Sequence, residues 1–176
     1  MPKTQTSFSK TQLFLVGFMA SGKSTVGPLL AARLGRPFID LDQHIEAHAG
    51  YTIFELIKHA GEARFRELET QILAEFAHAE PAVIAPGGGA ITREENRVLM
   101  QQTGVQLWLD ASFELCWQRI QHDGVTRPLA PDEATARARY EQRLSLYQQA
   151  DVRVAVRAGQ SATELVDACM RQLQQQ

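Results

Sequence analysis

The chain has 176 residues, of which 44% are hydrophobic, and this size and composition favour one globular domain. Its formal net charge of −2 provides no overall field that would attract nucleic acid or an anionic membrane. No apolar stretch approaches the roughly 20 residues that span a bilayer, and the polar segment 1–10 lacks the apolar core of a secretory signal. We therefore expect a flexible N-terminus at 1–10, a single domain at 11–176, and a cytoplasmic monomer without nucleic-acid or membrane partners.

Predicted strands and helices alternate along the chain. Short apolar runs predict strands, and apolar residues at helical spacing predict helices. The predicted strands are 12–16, 37–40, 82–85, 105–109 and 152–156. The predicted helices are 22–34, 42–49, 53–59, 62–78, 93–102, 112–122, 135–149 and 161–173, and the last begins with a capping box of Ser161 and Glu164. This alternation predicts a parallel sheet covered by helices on both faces.

A glycine-containing loop joins the first predicted strand to the first predicted helix. Residues 17–24, Gly-Phe-Met-Ala-Ser-Gly-Lys-Ser, match the pattern G-x-x-x-x-G-K-[ST] in the required context. In such a loop, backbone N–H groups surround phosphate oxygens, Lys23 would reach the β and γ phosphates, and Ser24 would hold Mg²⁺. The motif predicts nucleoside triphosphate binding but not the reaction, because P-loop proteins also include GTPases and motor ATPases. The short chain and the lack of an Asn-Lys-x-Asp stretch favour a small-molecule kinase.

Two carboxylates follow the second predicted strand, at the edge where open α/β sheets bind ligands. Strand alternation predicts that Asp40 and Asp42 point the same way. One could order waters on Mg²⁺, and the other could accept hydrogen bonds from a substrate hydroxyl and take its proton. The alternative is that Asp42 only caps the helix that follows.

Three further segments carry candidate ligand contacts. The charge-rich segment 61–69 would, by itself, be a solvated helix face with pairs such as Glu62 and Arg66. The turn Gly87–Gly89 suits close approach of the backbone to a ligand. The loop that holds Arg127 is long enough to be a lid that excludes water, and Arg127 could stabilise charge on the transferring phosphoryl group or be an ordinary solvated arginine.

Together these segments resemble the shikimate kinase family, from about residue 12 to near the C-terminus. The likeness lies in the order of the motifs: the P-loop continued to Gly27, Phe-Ile-Asp-Leu-Asp at 38–42, Gly-Glu-x-x-Phe-Arg-x-x-Glu at 61–69, Gly-Gly-Gly-Ala at 87–90 and Arg-Pro-Leu at 127–129. The resemblance implies a nucleoside-monophosphate-kinase-like α/β fold of three layers, with a five-stranded parallel sheet and a lid loop at about 123–135. It also implies phosphorylation of the 3-hydroxyl of shikimate by ATP, with Mg²⁺ as cofactor.

The resemblance also implies roles for individual residues. Those implied in catalysis are Lys23, Asp40, Asp42 and Arg127. Those implied in ATP binding are Ala20, Ser21, Gly22, Lys23, Ser24, Thr25, Arg119, Arg127 and Gln160, with Arg157 as a weaker adenine candidate. Those implied in shikimate binding are Asp42, Arg66, Gly88 and Arg143, and the two arginines would grip the carboxylate. Ser24 would ligate Mg²⁺, and Asp40 would act on it through water.

Two residues depart from the family's pattern. Ala20 stands where glycine is usual, and we expect this change to need only a backbone angle that is open to alanine. Ser145 stands where proline is usual, and we expect it to free the turn that carries Arg143 and so to loosen acceptor binding. The alternatives are a related kinase with another acceptor, such as gluconate, and a nucleotide-binding regulator without turnover.

Overall fold

The computed structural model describes residues 11–125 and 127–175. The segment 1–10, which the sequence predicts to be flexible, and Thr126 of the predicted lid therefore lie outside the described residues. Within the described ranges, no helix is both long enough and apolar enough to cross a membrane.

The described residues form five strands, seven α-helices and one short 3₁₀-helix. The strands are β1 (Gln12–Val16), β2 (Phe38–Asp40), β3 (Val83–Ala85), β4 (Gly104–Ala111) and β5 (Val152–Val156). The α-helices are α1 (Lys23–Leu34), α2 (Leu41–Ala49), α3 (Ile53–Ala77), α4 (Glu94–Thr103), α5 (Phe113–Asp123), α6 (Glu133–Tyr147) and α7 (Ala162–Leu173). The 3₁₀-helix is Ala90–Thr92.

All strand pairs are parallel, and the sheet order is β2-β3-β1-β4-β5. β1 is central, and its five residues are all buried, as expected for a strand covered on both faces. This confirms the predicted five-stranded parallel sheet. The carboxyl ends of β1, β2 and β3 lead into the P-loop, Asp40 and the glycine turn, so the sheet brings three predicted ligand-binding segments to one edge.

The predicted element bounds agree with the structure to within two residues, and the predicted break between the helices 53–59 and 62–78 is confirmed. α3 consists of two helical segments joined by a kink at Gly61, where φ is 84° and ψ is 163°. This left-handed φ suits glycine, and an added Cβ at Gly61 would meet no atom within 4 Å. The kink therefore depends on backbone conformation and not on close packing.

α6 begins at Glu133, two residues before its predicted start. The side chain of Asp132 accepts a hydrogen bond from the backbone N–H of Thr135 at 2.8 Å and so caps the helix. The last three residues of the predicted lid at about 123–135 are therefore helical. The sequence-based prediction started this helix later because Pro131 and the residues around it are typical of a loop.

The substitution at residue 20 has a cost that the sequence did not reveal. Ala20 has a φ of 59°, and no other non-glycine residue in the described ranges has a positive φ. The left-handed region costs an alanine roughly 1 kcal/mol because Cβ approaches the next carbonyl oxygen. The expectation of an angle readily open to alanine therefore understated the strain in this P-loop.

Ala20→Gly should raise the free energy of unfolding by about 0.5–1 kcal/mol, because glycine enters this region without the clash. Urea denaturation of both proteins would measure the change. Ala138→Gly is a matched control, since Ala138 is an exposed residue within α6 and the same exchange there should cost about 1 kcal/mol. Equal destabilisation by the two substitutions would contradict strain at residue 20.

Candidate active site

The P-loop lysine lies against the loop's own backbone. Lys23 is the first residue of α1, and its Nζ donates to the carbonyl oxygens of Gly17 at 2.8 Å and Phe18 at 3.0 Å. Burial lowers the pKa of the Lys23 ammonium from 10.5 to about 8, although the carboxylates of Asp42 and Asp40 oppose this shift. The ammonium is thus desolvated and held by the carbonyl oxygens of its own loop.

The first of the two carboxylates, Asp40, ends β2 and caps α2. Its Oδ1 accepts from the backbone N–H of Asp42 at 3.1 Å, and its Oδ2 accepts from the hydroxyl of Ser24 at 3.3 Å. The alternative that Asp42 is the cap is therefore wrong. The alternation argument is wrong as well, because β2 ends at Asp40 and Asp42 belongs to the first turn of α2.

Asp42 lies in the cleft beside Lys23 with an unpaired oxygen. Its Oδ1 is buried and has no hydrogen-bond partner among the described residues. Burial and the nearby charge of Asp40 raise the pKa of Asp42 to about 6, and the cations Lys23 and Arg66 only partly offset this. Asp42 is therefore a carboxylate that titrates near neutral pH and faces a ligand cleft, which suits a group that accepts a proton.

Arg66 is fixed by a buried carboxylate that the sequence analysis left without a role. Its Nη1 lies 2.7 Å from Oε2 of Glu69, whose side chain is 0% exposed. Burial raises the pKa of Glu69 to about 7, even though Arg66 acts in the opposite direction. The i, i+3 spacing within the segment 61–69 could have indicated this pair, but only the fold shows that Glu69 is inaccessible.

Arg143 is a buried cation without a counter-ion in the described part of the chain. It is 3% exposed, its Nε has no hydrogen-bond partner, and its guanidinium carbon lies 5.8 Å from the centre of the Phe18 ring. Burial, together with the positive charge of Arg66, lowers the pKa of Arg143. A buried charge of this kind is costly unless it is paired, so an anion bound beside Arg143 would lower this cost.

Ser145 continues α6 instead of breaking it, and Tyr147 ends the helix. The buried hydroxyl of Tyr147 donates to the carbonyl oxygen of Gly88 at 2.5 Å, which ties the helix of Arg143 to the glycine turn. The sequence analysis did not identify Tyr147. Whether Ser145 weakens acceptor binding stays a prediction.

The glycine turn packs between the acceptor residues and the P-loop. An added Cβ at Gly87 would lie 2.6 Å from Oε1 of Glu69 and 3.1 Å from Oδ1 of Asp42. An added Cβ at Gly89 would overlap the guanidinium of Arg66. These close approaches explain why the turn is built from glycine.

Two clefts meet at the P-loop. The larger, of about 560 Å³, is lined by residues of the P-loop, α2, α3, the glycine turn, the loop before α6, and α6 itself. It contains the predicted acceptor residues Asp42, Arg66, Gly88 and Arg143. The smaller, of about 440 Å³, contains Gly22, Thr25, Arg119 and Gln160. Residues that line both clefts are Ala20, Lys23, Ser24 and Arg127.

The remaining predicted residues lie close to these clefts. Arg119 donates to the carbonyl oxygen of Ala20 at 3.0 Å, and Arg127 pairs with Asp123 at 2.5 Å. Gln160 accepts from the backbone N–H of Arg157, which is exposed. Ser21 is 0% exposed, and its backbone N–H donates to the carbonyl oxygen of Phe18 at 3.1 Å, so the loop in this conformation does not present Ser21 to a ligand.

Part of the wall of the larger cleft is apolar and was not predicted. Phe54 and Ile57 belong to the first half of α3, and Val125, in the loop after α5, lines the same cleft. Phe54 and Val125 are exposed. The sequence around these residues predicts an ordinary core helix and a loop, so only the fold shows that they line the cleft.

Comparisons with known proteins identify the family. The family model for shikimate kinase matches residues 19–174. A shikimate kinase of Synechococcus sp. (strain JA-3-3Ab) is 44% identical over 158 residues, which are 88% of this chain and 83% of the relative. One from Salinibacter ruber is 46% identical over 143 residues, which are 81% of this chain and 70% of the relative.

Comparison with solved structures supports the same family. Shikimate kinase from Acinetobacter baumannii in complex with shikimate has a TM-score of 0.87 and 35% identity, over 96% of this chain and 95% of that chain. A gluconokinase from Sinorhizobium meliloti has a TM-score of 0.62 at 19% identity, over 95% of this chain and 93% of that chain, which shows a shared fold alone. The resemblance noted in the motifs is therefore confirmed, and the chain belongs to the shikimate kinase family.

Proposed function

We propose that the protein transfers the γ-phosphate of ATP to the 3-hydroxyl of shikimate, giving ADP and shikimate 3-phosphate for aromatic amino acid biosynthesis. The observation that carries this proposal is the buried guanidinium of Arg143, which has no ion-pair partner in the described part of the chain and lies with Arg66 in a cleft that meets the P-loop at Lys23. A planar carboxylate is the ligand that two guanidinium groups recognise best.

The acceptor would bind in the larger cleft. Arg66 and Arg143 would hold its carboxylate, Asp42 would accept a hydrogen bond from its hydroxyl groups, and the turn at Gly88 would contact it through the backbone. The apolar wall at Phe54 would cover the ring and help to exclude water, which would otherwise compete for the phosphoryl group.

ATP would bind in the smaller cleft. The backbone from Ala20 to Thr25 would surround the phosphates at the start of α1, where the helix dipole favours anions. Arg119 and Gln160 would lie beside the adenine. Ser24 and Asp40 offer hard oxygen donors 3.3 Å apart, which match the preference of Mg²⁺, so Ser24 would ligate the ion and Asp40 would order its waters. Bound Mg²⁺ would neutralise charge on the β and γ phosphates.

The chain's own residues account for the transfer step. Asp42 would orient the 3-hydroxyl and take its proton as the oxygen forms a bond to the γ-phosphorus. The bond between that phosphorus and the β–γ bridging oxygen breaks, and ADP leaves with the electron pair. Lys23 and Arg127 would stabilise the charge that develops on the phosphoryl oxygens, for which Lys23 would exchange its two carbonyl partners.

A cytoplasmic location and a monomeric state belong to this proposal as well. The reaction consumes ATP, which is supplied in the cytoplasm.

The direct test of the proposal is acceptor-dependent release of ADP by the purified protein with ATP and Mg²⁺. Shikimate, gluconate and a panel of small hydroxy acids should be compared at equal concentration. We expect turnover with shikimate at least about a hundredfold above that with gluconate, because loss of matched contacts costs several kcal/mol. Preference for gluconate would support the related kinase, and no turnover with any acceptor would support a regulator.

Lys23→Ala should lower kcat by about 10²–10³, because it removes a charge that stabilises the transferring phosphoryl group. Steady-state kinetics with saturating ATP and shikimate would measure the loss. Lys58→Ala is the matched control, since Lys58 is an exposed lysine on α3 outside both clefts, and its kcat should be unchanged. Near-normal turnover of Lys23→Ala would contradict the role of the P-loop.

Arg66→Ala should raise the KM for shikimate by about 30-fold or more, because it removes one partner of a desolvated charge pair. The Kd for ATP, measured by calorimetry without acceptor, should stay within about twofold of the wild-type value. Arg64→Ala is the control, because Arg64 lies two residues away on an exposed face of α3. An equal loss of ATP affinity in Arg66→Ala would indicate that Arg66 contributes to the ATP cleft, which would contradict the assignment to the acceptor cleft.

The value of kcat/KM for shikimate should fall as the pH drops from 7 to 6. The raised pKa values of about 7 for Glu69 and about 6 for Asp42 mean that both take up protons in this range. Protonated Asp42 cannot accept a proton, and protonated Glu69 no longer pairs fully with Arg66. Initial rates measured from pH 5 to 9 at constant ionic strength would show this decrease in kcat/KM on the acidic side. A flat profile down to pH 5 would contradict the assigned roles.

A further inference from the structure

Glu62 lies between Arg66 and Arg139, and it makes more contacts with Arg139, although Arg66 is closer in sequence. Arg139 of α6 contacts both carboxylate oxygens of Glu62, with Nη1 to Oε1 and Nη2 to Oε2 each at 3.3 Å. Arg66 contacts only Oε1, with Nη2 at 3.5 Å. Glu62 is the first residue after the kink at Gly61, so it begins the half of α3 that carries Arg66.

The spacing of Glu62 and Arg66 would normally favour a close pair. A glutamate four residues before a cation on one helix is well placed to bind it. Here the contact is at the outer limit for a hydrogen bond, while the other edge of Arg66 is held at 2.7 Å by Glu69. The two carboxylates therefore bind Arg66 unequally: Glu69 makes a short contact to Nη1, and Glu62 makes a longer one to Nη2.

This difference matters because Nη2 faces the glycine turn in the acceptor cleft, where an added Cβ at Gly89 would overlap it. A carboxylate from the acceptor would have to displace any protein carboxylate bound at that edge. Arg139 is the residue that engages Glu62 through both oxygens, and it comes from a segment 77 residues away in the chain.

We propose that Arg139 is a positioning residue for acceptor binding, which shares Glu62 with Arg66 and so weakens the hold of Glu62 on the Nη2 edge of Arg66, where the carboxylate of the substrate would bind. The inference rests on the proposed function, because it needs an acceptor that carries a carboxylate. α6 would thus contribute twice to that carboxylate: Arg143 would contact it, and Arg139, one turn earlier, would act through Glu62.

The expected effect is moderate because the pair is partly solvated. The side chains of Arg139 and Glu62 are 27% and 39% exposed, so water screens part of their interaction. In Arg139→Met, Glu62 would swing to its helical neighbour Arg66 and compete with the acceptor. The KM for shikimate should rise about three- to tenfold, while kcat and the KM for ATP stay within about twofold of the wild-type values.

A second substitution distinguishes competition from a simple structural tie. In the Arg139→Met protein, Glu62→Gln removes the competing charge, so the KM for shikimate should return to within about twofold of the wild-type value. If Arg139 and Glu62 merely fasten α6 to α3, the double variant should be as impaired as Arg139→Met or more so. Glu62→Gln alone should leave the KM unchanged or lower it.

The controls keep this test separate from the test of function. Arg137→Met removes an exposed arginine of α6 that pairs with Glu114 and Glu133, away from the cleft, and should not change the KM for shikimate. An unchanged KM in Arg139→Met, no rescue in the double variant, or a raised KM in Glu62→Gln alone would each overturn the inference. Absence of shikimate-dependent ADP release by the wild-type protein would instead overturn the proposed function.

Discussion

The organisation of the larger cleft depends on one buried charge, the guanidinium of Arg143, which interacts with the Tyr147 hydroxyl but has no ion-pair partner in the described part of the chain. It is 3% exposed, its Nε has no hydrogen-bond partner, and Arg66 adds a second positive charge nearby. Desolvating such a charge costs several kcal/mol unless an anion compensates it. The free protein tolerates this cost, and an acceptor carboxylate would remove it on binding.

The surrounding structure keeps these cations in place without neutralising them. Glu69 holds Arg66 by one edge from a fully buried position, and the Tyr147 hydroxyl ties the end of α6 to the glycine turn. The glycines in that turn let Arg66, Glu69 and Asp42 approach the backbone more closely than side chains would permit. The turn in turn packs on the P-loop, since an added Cβ at Gly88 would lie 3.2 Å from the backbone nitrogen of Met19. Both clefts therefore lie at the same edge of the sheet.

Much of this could be predicted from local sequence patterns. The P-loop, the carboxylate after β2 and the glycine turn each follow a short apolar strand, and parallel strands place their carboxyl ends together. The family's motif order then identified Arg66 and Arg143, which spacing alone would have left as ordinary helix charges. The five strands were predicted for the same reason: each is a short, largely apolar run bounded by turn residues.

What could not be predicted depends on backbone angles or on long-range burial. The left-handed φ of Ala20 cannot be recognised from composition. The sequence-based argument assumed that Asp42 continues the second strand, but α2 starts at Leu41 and includes Asp42. Glu69 looks like any surface glutamate until α3 is packed. The pair of Glu62 with Arg139 joins residues that no local pattern connects.

The central claim, that buried guanidinium groups recognise a carboxylate, is tested most directly by calorimetric titration of the protein with shikimate and with its methyl ester. The two ligands have the same ring and hydroxyl groups, but only shikimate carries the negative charge. We expect shikimate to bind at least about 30-fold more tightly, since one desolvated charge pair is lost in the ester. Equal affinity for both ligands would contradict the account.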